Sequence, residues 1–592
     1  MSNGFEKLKI SEKFHTFLEN LSEQAEIKDR IPFIGRDKEL EAVMETLLRK
    51  LKSNILLVGK PGVGKTALIT EFASRINSGD IHPSLKGKVI FELSMNRFFF
   101  SGKSDNNRVK EFEDLFEELI KDRDRIILFL NEVEIESITG SIKEENSIGI
   151  RNLLKSYFIN RELKLIAATT PDYYYRSMKS DDFMSMNFTT VFLEEPERSE
   201  VLKIFNGISG YFENYYSLKI RKDMFNKIYE FSHRFIPHRY FPGKGVELLD
   251  ASCSKASVKG ERRLTAENIY KSISDITKLP PNIIELDPIK HASGMFSYLK
   301  KKVVNQNIVL KEIVRVIKLS RYEKDKAEQR SEGVFLFLGP PGVGKNFVAG
   351  EISKYLFGSD EKLRVIDLSE YKKPEDNSKL IVGEDGEMGD MIKEFELHPF
   401  SVIFFENIDK THKATLTFLK EMLSKGEVLD QRGKKYYVSN KIFIFSLTKI
   451  GDEVSQNQIG FVKGNKTLNR LIVPPKIVDI LDWVDEIIEF SPLCKESLEK
   501  IAVNEMKNIA EEISKRFGRK LIFDKKISKM LSARAEERGG SAHMIVEFVE
   551  RQIRLKVIDY TTGNSSESGN IYVKLKNNRI EITENKKNEQ GS

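Results

Sequence analysis

Short unbroken apolar runs alternate with stretches of helical spacing along this chain, and the whole alternation is written twice. The first run, Ile55 to Val58, ends in Gly59-Lys60-Pro61-Gly62-Val63-Gly64-Lys65-Thr66, and Ala67 to Ala73 then reads as a helix. Val89 to Leu93 predicts a second strand. Phe112, Leu115, Phe116, Leu119 and Ile120 recur at helical spacing and predict a helix packed on a sheet. Ile126 to Leu130 is a third run, closed by Asn131-Glu132, and Leu163 to Thr170 a fourth, closed by two threonines. Runs that are apolar at every position predict parallel strands covered on both faces. Ahead of them, residues 5–30 read as a charged helical lead-in, and Ile34-Gly35-Arg36 precedes an amphipathic helix from about Asp37 to Leu51. From Pro196 to Thr277 the pattern is helical, as a smaller lid would be.

The plan then restarts. Val334 to Asn346 mirrors the first run and its glycine loop, Ser401 to Asn407 mirrors the third run, and Lys441 to Thr448 the fourth. Pro492 to Tyr572 reads as a second lid, with a β-pair around Asn577-Asn578 and a polar tail, Glu584 to Ser592, expected to be disordered. The expected fold class is α/β: two tandem P-loop modules, each a parallel-sheet domain followed by a helical lid. The boundaries are a helical segment over 1–30, an α/β domain over 31–195 with a lid over 196–290, a second α/β domain over 291–491 with a lid over 492–575, and a strand end with a flexible tail over 576–592.

In this strand–loop–helix setting the pattern G-x-x-x-x-G-K-[ST] is a phosphate site. Its glycines let backbone N–H groups curl around an anion, and the helix N-terminus adds a positive dipole end. The candidate nucleotide-binding residues are Gly59, Pro61, Gly62, Val63, Gly64, Lys65, Thr66 and Ala67, with Lys65 reaching the β- and γ-phosphates and the Thr66 hydroxyl ligating Mg²⁺. A glycine turn that merely precedes a helix is the alternative, and the complete pattern in its setting argues against it. Polar residues at the C-terminal ends of parallel strands face the ligand crevice. Glu132 is therefore placed to orient or deprotonate an attacking water, Thr169 and Thr170 to contact the γ-phosphate or that water, and Asn131 stands where an Asp usually holds Mg²⁺. Gly339, Gly342, Val343, Gly344, Lys345 and Asn346 form the second candidate set.

Size and composition narrow the field. The 592 residues allow about four folding units. Forty per cent apolar residues suffice for real cores, and 31% charged residues argue for a well-solvated surface. The net charge of +7 is spread along the chain, without the basic stripe of a nucleic-acid binder. Cys253 and Cys494 are too few and too far apart for a disulfide framework or a thiolate metal site, and the histidines, His233 and His238 included, lack metal-ligand spacing. No apolar leader opens the chain and no run approaches the length of a membrane span, so a cytoplasmic location is expected.

With both halves in view, the chain resembles a tandem AAA+ ATPase of the Clp family, most like the ClpA type, over about Phe17 to Val557. IPFIGRDKELEAV, LLVGKPGVGKTALI, RELKLIAATTPDYY and Phe241 to Ser252 resemble the first module, and Ile34 thereby joins the nucleotide-binding set. VFLFLGPPGVGK, VIDLSEY, HPFSVIFFENIDKTH and WVDEIIEFSPL resemble the second. No coiled-coil insertion separates the first lid from the second module, and the family's amino-terminal adaptor-binding domain is expected to be missing.

The resemblance implies a ring, hexameric in the family, that draws polypeptides through its pore using ATP hydrolysed at subunit interfaces. It also exposes departures. The first module has Asn131 for the Mg²⁺-holding Asp, and Met186-Asn187-Phe188 where the family's arginine finger stands, with Arg176 and Lys179 as alternative cations. An arginine finger can be worth 10³–10⁵ in rate in related NTPases, so its loss outweighs the Asn131 change. The second module reads Asn346 for the loop Thr or Ser, Glu406-Asn407 for the acidic pair, Lys449 for the sensor Asn, Trp483 for the finger and Ala542 for the lid arginine. An amide at Asn407 cannot accept a proton at pH 7, so no hydrolysis is expected there. Of the segments that resemble the substrate-gripping loops, Gly102 to Lys110 has no aromatic, and Leu380 to Pro399 is shorter than in the family and holds only Gly383 to Gly389 where the family has Gly-Tyr-Val-Gly, which gives little grip. Ile459-Gly460-Phe461 resembles the tripeptide by which such rings dock on the ClpP peptidase.

The expected protein is an ATP-binding chaperone subunit for polypeptide unfolding or remodelling, with ATP and Mg²⁺ as cofactors and a weakly hydrolysing or silent ATPase. Its expected partners are other Clp AAA+ subunits, a ClpP-like peptidase and polypeptide substrates, with no nucleic acid and no membrane. Two rival readings stay open: an autonomous ATP-hydrolysing unfoldase or disaggregase, and a non-catalytic adaptor or inhibitor of Clp rings.

Overall fold

A computed structural model of the protein describes residues 8, 10–27, 30–94, 97–98, 105–131, 163–323, 330–383, 387–431, 433–448, 474–563, 570–576 and 579–584. The chain divides into two compact units, Met1–Ile273 and Ser274–Ser592.

The first unit is built on a six-stranded sheet of β1 (Leu18–Asn20), β2 (Asn54–Gly59), β3 (Val89–Ser94), β4 (Ile126–Asn131), β5 (Lys164–Thr169) and β6 (Phe188–Leu193). Their order is β1-β3-β4-β5-β2-β6, with only β1 antiparallel. The unbroken apolar runs are explained by two buried faces. Leu56, Val58, Leu128, Leu130 and Leu165 enter one core, while Ile55, Leu57, Ile127, Phe129 and Ile166 enter the other. Helices α1 (Asp37–Leu48), α2 (Lys65–Ser78) and α3 (Asp105–Lys121) belong to this α/β part. The second half of the Gly102 to Lys110 segment is thus helical rather than an open loop.

The lead-in differs from the helical expectation. Phe14, Phe17, Leu18, Leu21 and Ala25 have helical spacing, yet Leu18–Asn20 pairs with β3, and Phe14 and Phe17 bury themselves in the sheet's core at 0% and 1% exposure. Strand pairing at an open sheet edge outweighs local periodicity here. Among the described residues of the lead-in, only Leu21–Ala25 is an α-helix, capped by Asn20, whose Oδ1 accepts from the N–H of Ser22 and Glu23.

The lid of this unit contains α4 (Arg198–Tyr216), a helix over Lys222–Phe235, and α5 (Gly243–Val258). Glu197 and Glu200 form a reciprocal capping box at the head of α4, which satisfies two N–H groups that a helix otherwise leaves open. Val201, Phe205, Ile228 and Leu249 are buried.

In the second unit, β7 (Gly333–Gly339), β8 (Leu363–Asp367), β9 (Ser401–Glu406), β12 (Lys441–Thr448) and β13 (Glu486–Glu489) form a parallel sheet in the order β13-β7-β12-β9-β8. A hairpin of β10 (Glu427–Leu429) and β11 (Lys435–Tyr437) precedes β12. Helix α6 (Lys345–Phe357) follows the second glycine loop. The lid joins α7 (Lys495–Phe517), α8 (Lys525–Glu537) and α9 (Ala542–Phe548) to a small sheet of β14 (Leu521–Phe523), β15 (Ile571–Lys576) and β16 (Arg579–Glu584). β15 and β16 pair antiparallel across positions 577–578, where the sequence places a β-pair. The Leu380 to Pro399 segment is a tight bridge between Val382 and Met388 followed by a helix, Asp390–Leu397.

Candidate functional site

Both glycine loops adopt one geometry. β2 and β7 each end at the leading glycine, Gly62 and Gly342 have φ of 89° and 76°, and Gly64 and Gly344 have φ of 101° and 100°. Left-handed backbone is what glycine permits and a Cβ penalises. The loop lysine opens the next helix in each case and is nearly buried. Lys65 Nζ donates to the carbonyls of Gly59 (2.6 Å) and Lys60 (3.3 Å), and Lys345 Nζ to those of Gly339 (2.7 Å) and Pro340 (2.9 Å). Burial pushes the Lys345 ammonium below its usual range, partly countered by the charge of Glu406. Each ammonium is held on the carbonyls of its own loop.

Each lid touches its own loop through a backbone hydrogen bond. The N–H of Gly243, first residue of α5, donates to the Gly62 carbonyl at 3.0 Å, and that of Ala542, first residue of α9, to the Gly342 carbonyl at 2.9 Å. A Cβ at Gly342 would collide with the Ser541 side chain. Ile34 lies under the first lid, because a Cβ on Gly207 of α4 would come within 2.6 Å of its side chain. Arg36, which the sequence reading left unassigned, ties the same segment to the loop. Its guanidinium donates to the Val63 carbonyl (3.4 Å) and the Glu194 carbonyl (2.5 Å) and pairs with Glu39 at 2.8 Å.

The strand ends bring the remaining candidates together unequally. In the first unit Asn131 Nδ2 donates to Thr66 Oγ1 at 3.2 Å and to Glu92 Oε1 at 2.9 Å. Sequence reasoning missed Glu92, although one acid inside the otherwise apolar β3 run was a signal. Thr169 is 1% exposed, and its hydroxyl has no hydrogen-bond partner among the described residues. Thr170 instead caps a short helix, its Oγ1 accepting from the Tyr173 N–H at 3.4 Å. Glu132, Lys449 and the Ile459-Gly460-Phe461 tripeptide lie outside the described residues.

In the second unit the Asn346 amide donates to Glu406 Oε1, and Asn407 Nδ2 donates to Asp367 Oδ1 at 2.8 Å. Although burial pushes the Asp367 carboxyl up, hydrogen bonds from Asn407 and Ser369 hold it below its usual range. A cavity of about 490 Å³ opens over this loop, walled by Val303, Val304, Ile501 and Val546 and reaching Lys345, Glu406 and Thr448. An apolar wall facing a phosphate-type cradle suits a planar base at one end and an anion at the other. At the finger positions, Met186 is 72% exposed and Trp483 packs against the second unit's core. Neither offers a charge. Arg176 and Lys179, the alternative cations, are both exposed.

Residues 55–180 match the family described as ATPase family associated with various cellular activities (AAA), 197–293 match an AAA lid domain, and 330–521 match an AAA domain of the Cdc48 subfamily. The chain thus carries two AAA modules, and the relatives it is similar to are Clp-family ATPases. It is 26% identical over 606 residues to the ATP-dependent Clp protease ATP-binding subunit ClpL of Staphylococcus aureus (strain MRSA252), covering 91% of this chain and 84% of that protein. ClpE of Bacillus subtilis (strain 168) is 26% identical, over 82% of this chain and 77% of its own. The chloroplastic chaperone protein ClpC2 of Arabidopsis thaliana is also 26% identical, over 88% of this chain and 64% of its own. Among solved structures, the tandem AAA chain superposes on the Saccharomyces cerevisiae Hsp104–ADP complex with a TM-score of 0.70 at 23% identity, covering 95% of this chain and 98% of that one. A closed state of Hsp104 with ATPγS and FITC casein gives 0.65 at 22% identity, over 96% and 99%. These likenesses show the fold: two AAA modules with parallel-sheet α/β cores and helical lids.

The magnesium usual in this fold fits the two sites differently. Mg²⁺ takes hard oxygen ligands, few of them from protein, and keeps several waters. The first site offers the Thr66 hydroxyl oxygen with a carboxylate close by. In the second the loop hydroxyl is replaced by the Asn346 amide, whose N–H donates to Glu406 Oε1, so that site lacks the loop hydroxyl oxygen the first one offers. Among the described residues no helix is long and apolar enough to cross a membrane.

Proposed function

We propose that this chain is an ATP-binding subunit of a Clp-type AAA+ ring that unfolds or remodels polypeptides, with its turnover confined to the first module. The observation that carries the division of labour is the second site's strand end. There Asn346 engages Glu406 and Asn407 engages Asp367, so the residue in the base position is an amide already committed to a neighbour. The 490 Å³ cavity over that loop supports nucleotide occupancy without hydrolysis. In the first module Lys65 and Thr66 bind phosphate and its Mg²⁺, which supplies charge neutralisation when bound, while Glu132 orients the water. Exposed Met186 and core-packed Trp483 favour a ring member that receives an arginine from an intact neighbour and supplies none. Motif spelling favours the ClpA type, and Ile459-Gly460-Phe461 is the proposed contact for a ClpP-like peptidase.

Steady-state ATPase of single-site variants tests this reading. Lys65→Ala is expected to abolish turnover and Lys345→Ala to keep most of it. Asn407→Glu in the Lys65→Ala chain is expected to restore none, because one carboxylate does not replace the missing transition-state charge. Robust hydrolysis from that double variant would sink the proposal.

A further inference from the structure

β3 lies beside β4 in register, with Glu92 opposite Phe129 and Ser94 opposite Asn131. In the second unit β8 lies beside β9 in the same way, with Val365 opposite Phe404 and Asp367 opposite Glu406. Glu92 and Val365 therefore occupy one position of the two modules, and Asn131 and Glu406 another. Where the strand end is acidic, as at Glu406, the neighbouring strand carries Val365 at that position and an acid, Asp367, directly opposite the strand end. Where the strand end is the neutral Asn131, the neighbouring strand carries Glu92.

The first site's geometry shows what that exchange achieves. A single nitrogen, Asn131 Nδ2, is shared by two oxygens, Thr66 Oγ1 at 3.2 Å and Glu92 Oε1 at 2.9 Å. A hydroxyl oxygen and a carboxylate oxygen thus converge on one electropositive point, which is the donor set a hard dication takes. In P-loop NTPases the loop Ser or Thr and a strand-end Asp hold Mg²⁺. The ion keeps several waters, so an acid displaced by one strand still acts through one of them. We infer that Glu92 is the magnesium-side carboxylate of the first nucleotide site, replacing the one Asn131 does not supply. Asn131 then serves as a positioning residue between Glu92 and Thr66. The assignment rests on the nucleotide reading of that site.

The test uses the full chain carrying Lys345→Ala, so that only the first loop binds, and a fluorescent ATP analogue followed by anisotropy while Mg²⁺ is titrated in from EDTA. Glu92→Gln keeps an acceptor oxygen towards Asn131 but removes the charge. It is expected to raise the Mg²⁺ concentration for half-maximal binding at least fivefold, with Mg²⁺-free affinity changed less than twofold. Adding Asn131→Asp to Glu92→Gln returns a carboxylate to the strand end and is expected to restore the original requirement. An Mg²⁺ requirement unchanged within twofold in Glu92→Gln, or not restored by the double variant, overturns the assignment while leaving the nucleotide reading standing. A Lys345→Ala chain that binds no analogue even in excess Mg²⁺ removes that reading, and the assignment with it.

Discussion

Lys441 opens β12 at 1% exposure, and its Nζ donates to the carbonyls of His398 (2.7 Å) and Pro399 (3.2 Å) and to Ser401 Oγ (3.2 Å). Burial pushes its ammonium down to about 7, only partly offset by the charge of Glu394, whose own carboxyl burial raises to about 6. Lys362, which donates to the Phe357 carbonyl at 3.0 Å, is lowered to about 8 for the same reason. An unfolded lysine keeps its proton to about pH 10.4. Between pH 7 and about 10 the unfolded chain therefore binds more protons than the folded one, and these lysines make stability rise with pH. In Lys441→Met the urea midpoint of the second unit is expected to climb less steeply from pH 7 to pH 9 than in the unaltered chain. That variant should also lose about 1–3 kcal/mol at pH 9, because buried carbonyls are left unpaired. Identical slopes would show that Lys441 is not titrating in that window.

At the level of elements, each lid helix begins on its own phosphate loop, so the loop's shape and the lid's seat are one structure. Gly342 makes this concrete. At φ 76° an L side chain is strained, and its Cβ would meet Ser541, the residue just before α9. Gly342→Ala is expected to push the lid off the loop and weaken nucleotide binding at the second site at least tenfold, measured by calorimetry in the Lys65→Ala background. The corresponding hydrogen bond from Gly243 to Gly62 predicts that the first site, assayed in the Lys345→Ala background, is indifferent to Gly342→Ala. Equal weakening at both sites would mean that the substitution acts through general instability. The two loops themselves were legible in the sequence because strand, glycine pattern and helix are contiguous. The lid contact was not, since Gly62 and Gly243 meet only after β6 and the whole of α4 have been laid down.

For the whole molecule, the finger positions and the pore segments decide the expectation. A ring made only of this chain would present Met186 at every first-tier interface and no aromatic wedge from Gly102 to Lys110 or from Gly383 to Gly389. A mixed ring would keep the partner's arginines and pore aromatics, and in it this chain would tune the rate. Mixing it with an intact Clp-family ATPase is expected to alter that partner's turnover saturably, with both chains co-eluting by size exclusion. Strictly additive turnover and separate elution across all ratios would leave a self-contained role instead.

What the sequence by itself determined is local. It set the buried strands by unbroken apolar runs, the two cradles by glycine spacing, and the neutral residues at Asn131, Asn346 and Asn407 by simple reading. Tertiary structure decided whatever depends on register between distant segments. Glu92 and Asn131 are 39 residues apart and meet only because β3 pairs with β4 at that offset. Arg36 reaches the Val63 carbonyl across 27 residues. Leu18–Asn20 of the lead-in became strand β1 because the edge of β3 offered unpaired backbone groups, and no periodicity within residues 5–30 records that edge. A hydrogen bond between neighbours in space carries no signature in the order of residues along the chain, which is why the site's acid was found in the fold and its glycines in the sequence.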